Sequence, residues 1–137
     1  MLFVVAVMLT FLTQAQTNNA IGVSENLVYT ASYNMSGILT DLAEVTMRTS
    51  LVKTSNSTLL RLKCTAATYS KWDNFFKIRD LYESYVSPKT LKPYLYNRDI
   101  NEGGYFKNMK YVYNHKTKMV KSTLKKKNNY LKKKTLA

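Results

Sequence analysis

Residues 26–35 alternate in polarity. Leu27, Tyr29, Ala31, Tyr33 and Met35 occupy every second position, with Thr30, Ser32 and Asn34 between them. A repeat of two is the signature of a strand that turns one face to a core. Ser36-Gly37 supplies a turn, and alternation resumes over residues 39–53, with Leu39, Ala43, Val45, Met47 and Leu51 inward. Thr40, Glu44, Thr46, Arg48 and Ser50 point outward. Two such runs joined by a short Gly-containing link predict a hairpin. After Thr54-Ser55-Asn56-Ser57, residues 58–69 give a third strand, with Leu60, Leu62, Cys64 and Ala66 opposite Arg61, Lys63 and Thr65. The three strands make a meander with one dry face.

The period changes at Ser70. Trp72, Phe75, Phe76 and Arg79 are spaced i, i+3, i+4, i+7, and Ser70 can cap. This predicts a short helix over 71–77 that packs its aromatic side chains on the sheet. Strands resume over 80–86, 94–100, 105–114 and 118–124. Their separators are Ser87-Pro88-Lys89, Asn101-Glu102-Gly103-Gly104 and residues 114–117, all of them turn chemistry. The fold class that follows is all-β and mainly antiparallel. It is a curved open sheet or half-barrel of about seven strands with one short helix.

Residues 2–12 (LFVVAVMLTFL) form an almost unbroken apolar run. A helix of that length falls short of a hydrocarbon core of about 30 Å, but it suits the apolar region of a signal peptide. Thr13 and Ala15 are small, which places the cut between Ala15 and Gln16 and leaves about 120 residues. No Lys or Arg precedes the run, so the α-amino group supplies the positive charge or the start lies upstream. A buried strand or an anchor helix is the alternative; the polar QTNNA that follows favours export. A linker over 16–24 then leads into one β domain over 25–124.

Charge divides the chain. Residues 1–104 hold ten Lys/Arg against eight Asp/Glu, a net +2, whereas residues 105–137 hold eleven Lys and no acid, a net +11. The body is nearly neutral, which argues against a domain built for nucleic acid. Residues 125–137 (KKKNNYLKKKTLA) show no apolar period and are expected to be a disordered basic tail. Cys64 is the one cysteine, so no intrachain disulfide can form. It reads as a small hydrophobe on a strand. His115, the one histidine, sits in a polar turn with no residue in the pattern to orient it. These exclude a Cys–His nucleophile and a metal centre with the usual ligand spacing, and no cofactor motif is present.

Phe76 to Asp80, Tyr82-Glu83-Ser84, residues 87–91 with Pro93, Arg98, and Glu102-Gly103-Gly104-Tyr105, with Glu25, Leu27 and Tyr29 ahead of them, form one further pattern. It resembles the family called domain of unknown function 3108, over residues 25–124. The motif-like residues are Arg79, Asp80, Glu83, Pro93, Arg98, Glu102 and Gly103. The resemblance implies an exported bacterial envelope protein of the periplasm or outer cell envelope, shaped like the carriers that bring lipoproteins to the outer membrane. It carries over no catalytic residue. Members usually continue with further strands past the position of Leu124, where this chain has its Lys/Asn tail, and this predicts a truncated product.

Arg79, Asp80 and Glu83 are the cluster that could serve acid–base chemistry. Asp80 and Glu83 are three apart, so a strand turns them to opposite faces. A structural ion pair at the helix exit is favoured over an enzyme, and Arg98 with Glu102 is read as a pair that positions a loop. Tyr29, Tyr33, Trp72, Phe75 and Phe76 are placed where they could line an apolar groove for an acyl chain, but the packed core is the favoured reading of them. The favoured function is therefore a non-enzymatic binder of a lipid-like ligand or of outer-membrane components. The alternatives are an enzyme using Asp80 and Glu83, and a basic protein that meets anionic surfaces through its tail. No nucleic-acid partner is expected, and the oligomeric state is left open.

Overall fold

The computed structural model describes residues 17–126 and 131–136; the segment expected to be a signal peptide, with its expected cut between Ala15 and Gln16, lies outside them. Eight strands run in chain order: β1 (Asn26–Met35), β2 (Ile38–Lys53), β3 (Thr58–Thr68), β4 (Arg79–Val86), β5 (Pro93–Glu102), β6 (Tyr105–Asn114), β7 (Met119–Lys126) and β8 (Leu131–Leu136). Each pairs antiparallel with its neighbours in sequence, giving one open sheet of order β1 to β8. The antiparallel all-β class and the strand limits from β1 to β7 follow the polarity pattern closely.

Two turns fix the hairpins. Ser36 and Gly37 both have positive φ (51° and 87°), as do Gly103 and Gly104 (53° and 84°). Two left-handed residues between paired strand ends form the tight turn whose twist matches that of the strands. Glycine also leaves room at position 103, where a Cβ would lie 2.6 Å from Phe76 Cε2.

The pairing register sorts side chains into two faces. Leu27↔Met47↔Cys64↔Tyr82↔Arg98↔Met109↔Leu124 crosses the sheet on one face. Because side chains alternate along each strand, Leu60, Val86 and Ile100 share that face. The other face carries Arg48, Lys63, Glu83 and Asn97.

The core is small and central. Among the described residues, Ala43, Leu60, Val86 and Ile100 are the buried apolar ones, all on β2 to β5. Leu60 and Val86 are direct cross-strand partners. The dry face expected of β1 to β3 is largely open: Leu27, Tyr29, Met47 and Leu51 are all exposed. The described strands form a single layer, so no second sheet packs over this face, and β1 at the margin has a neighbour on one side only. Leu39 departs from its predicted face for another reason. The register shifts between Ala31 and Ser32, so that Leu39 pairs with Asn34 on the polar side of β1 and is 71% exposed. One extra residue in β2 reverses the parity of everything before it.

The helix over 71–77 does not form. A single 3-10 turn occupies Ser70–Trp72. Asp73 explains the arrest, because it accepts from Thr68 Oγ1 at 2.7 Å and from Arg79 Nη2 at 2.6 Å, stapling both ends of the crossover together. Two turns of isolated helix would need a buried apolar side to offset nucleation. Here Phe75 is 83% exposed, and Trp72 donates its Nε1–H to Asp41 O at 2.8 Å.

The tail also differs from expectation. Residues 125 and 126 complete β7, and Leu131–Leu136 pair with it as β8. Backbone hydrogen bonding to a formed strand needs no apolar period in the added one.

Candidate functional site

Residues 17–24, the described part of the linker expected over 16–24, form with Glu25 a strap over the apolar face. At one end the Asn18 side-chain amide donates to Ile21 O and to Pro88 O, in the loop between β4 and β5. At the other end Glu25 N donates to Thr49 Oγ1, and that hydroxyl donates to Gly22 O, both at 2.8 Å. The strap thus crosses from β4 to β2.

Beneath it lies a groove of about 360 Å³. Ile21 of the strap lines it together with Leu27, Met47, Leu62, Cys64 and Tyr82. The last five come from β1, β2, β3 and β4, and the register places them side by side. The size is that of a small-ligand site. Tyr29, Tyr33, Trp72, Phe75 and Phe76 do not line it. Tyr29 and Tyr33 are exposed on β1, Phe76 covers the turn at Gly103, and Trp72 and Phe75 meet each other at 5.9 Å. Cys64 is a half-buried wall of the groove.

A polar cluster adjoins the groove on the same face. Asp80 is buried; its Oδ1 accepts from Asn101 N at 2.9 Å and its Oδ2 from the Tyr82 hydroxyl at 3.1 Å. Burial pushes the Tyr82 phenol up, and the hydrogen bond to Asp80 adds to it. The hydrogen bond between Glu102 and Asp80 raises the Glu102 carboxyl above the ordinary carboxylate range, because one of two facing carboxyls must supply a proton. Arg98 lies over the Tyr82 ring, with its guanidinium carbon 5.2 Å from the centroid. Its buried Nε has no hydrogen-bond partner among the described residues. Tyr82 therefore has its ring in the groove and its hydroxyl in the cluster.

The motif-like residues are spread over three arrangements rather than one. Arg79 joins Asp73 and the Thr68 backbone, and so closes the crossover. The hydrogen bond from Thr68, with Arg79 adding to it, holds the Asp73 carboxyl below its usual range. Glu83 is buried on the opposite face and pairs with Arg61, whose guanidinium is pushed up by that bond. Asp80 and Glu83 are therefore separated by the sheet, as their spacing requires. The expected Arg79–Asp80–Glu83 ion pair is replaced by these two separate pairs, since each side chain meets what its own face offers.

Arg98 and Glu102 do sit together, but around Asp80 rather than only around the turn. Pro93 opens β5, and its carbonyl accepts from His115 Nε2 at 2.6 Å. The imidazole is also edge-on to Tyr94 at 5.2 Å, so it is oriented after all. No group of three or more potential metal ligands occurs among the described residues.

The Asp80–Glu102 pairing and the strap had no signal in the polarity pattern. Asp80 faces Glu102 across two strands whose register shifts near Tyr85, which hides their alignment. Asn18 gave a weak hint as a turn-forming side chain ahead of an apolar Ile21.

No curated protein and no solved structure matches this chain. The match to a family model runs from Val28 through the lysine-rich stretch to Ala137, beyond the region that the motifs mark out. This chain belongs to the family described as "Protein of unknown function (DUF3108)", over residues 28–137.

Proposed function

We propose that this is an exported, non-enzymatic protein of the periplasm or outer cell envelope that binds a lipid-like ligand in the groove under the strap. The observation that carries this reading is the groove itself: walls of Ile21, Leu27, Met47, Leu62 and Cys64, with a polar end at Tyr82. An apolar chain gains by leaving water there, and the polar end of the same molecule meets Tyr82 and Arg98. The apolar run over residues 2–12 supports export.

Native mass spectrometry on protein purified from the envelope tests the proposal. A co-purified amphiphile is expected, and it is lost in Met47→Trp, which fills the groove from a half-exposed position. A chain that carries nothing, and that takes up a fluorescent fatty acid equally well with Trp at position 47, would sink the idea.

A further inference from the structure

The lysines of β6, β7 and β8 are distributed in a way that neither packing nor solubility requires. Lys107, Lys126 and Lys134 fall on one face, and Lys110, Lys121, Lys125 and Lys133 on the other. Lys107 and Lys126 are direct cross-strand partners, an arrangement that repels. None of these lysines has a carboxylate opposite it. Lys110 pairs with Asn97 and Thr123, Lys121 with Val112 and Thr135, Lys125 with Asn108, Lys133 with Thr123 and Lys134 with Ser122. The ion pairs of the described residues, Arg61–Glu83 and Arg79–Asp73, lie elsewhere.

Lysine on a marginal strand commonly blocks edge-to-edge pairing, which would account for β8. It does not account for β6 and β7, which are already paired on both sides. Because the charge lies on both faces, it adds up at the margin of the sheet rather than on either surface. Lys116 and Lys118, in the turn between β6 and β7, extend it.

We propose that this margin docks edge-on to an anionic lipid bilayer surface. The residue type argues for lipid over nucleic acid. Residues 105–137 hold eleven Lys and no Arg. Lysine is a point charge suited to a diffuse anionic layer, whereas Arg supplies the planar fork used to read phosphodiesters and bases. The inference does not depend on the groove, and it would hold for an empty one.

The test is co-sedimentation of the full chain with phosphatidylcholine vesicles, with and without phosphatidylglycerol. Binding is expected only with the anionic lipid, and it falls as salt rises. Each lysine near such a surface is worth about five-fold in affinity, so the triple variant Lys125→Ser, Lys133→Ser, Lys134→Ser loses about 100-fold. All three side chains are exposed, so the fold is kept, and circular dichroism checks this. The matched variant Lys53→Ser, Lys71→Ser, Lys89→Ser removes the same charge far from the margin and should lose little. Equal losses in the two variants would reduce the effect to net charge and overturn the proposal. So would indifference to phosphatidylglycerol, or tighter binding to duplex DNA at the same salt.

Discussion

Strands β3 to β5 and strands β6 to β8 continue the same sheet, yet different interactions hold them. The first group contains Leu60, Val86 and Ile100 from the apolar core, and buried Asp80 and Glu83, each with a partner. The second group has no buried residue among those described and carries a run of lysines. In a one-layer sheet, a side chain is shielded mainly by strands on both sides and by whatever crosses its face. The strap and the crossover loop both attach to strands β2 to β5, so burial concentrates there. The outer strands depend on backbone pairing, and their side chains are left for other contacts.

Leu60→Ala tests this division most severely. Leu60 is 1% exposed, and its truncation should cost about 2–4 kcal/mol in urea unfolding. Leu27→Ala, the same chemical change at 47% exposure on β1, should stay within about 0.5 kcal/mol. Similar losses at both positions would mean that β1 is covered by something other than this chain.

Gly103→Ala comes next, with an expected loss of about 1–2 kcal/mol from the left-handed backbone alone. The contact with Phe76 adds a steric part. In a Phe76→Ala background the loss at position 103 should shrink but not vanish; if it vanishes, backbone conformation is not the constraint.

The smallest effect is Glu102→Gln, and its sign depends on pH. A carboxyl whose native pKa is raised favours folding while it is protonated, and that contribution is lost as pH rises through the native value. Gln keeps the donor to Asp80 at every pH. The variant should therefore melt above the parent chain at neutral pH, and the gap should close in acid. A gap that widens in acid would mean that Glu102 acts as an ionised partner of Arg98 instead.

Most of the fold was legible because alternation and glycine turns are local signals. The strand over Asn26–Met35 and the turn at Gly103-Gly104 needed nothing else. Leu39 was misplaced because a bulge is invisible to a count of two. Trp72, Phe75 and Phe76 had helical spacing, but Asp73 and Arg79 settled that segment through contacts across the crossover. The lysine strand β8 was missed because it lacks the apolar rhythm by which strands are recognised. At the candidate site, Leu62 and Cys64 were assigned to the right face. The pairing of Asp80 with Glu102 depends on a shifted register and could not be counted out along the chain.

Every strand of the sheet pairs only with its sequence neighbours, so the sheet can be assembled one hairpin at a time. Asn18 is the exception in reach, since its bond to Pro88 spans 70 residues. The strap precedes β1 in the chain but is fastened at Asn18 only after the loop between β4 and β5 exists to receive it. Until then the groove has a floor but no strap at the Asn18 end, so the proposed ligand would settle from above rather than thread in from an end.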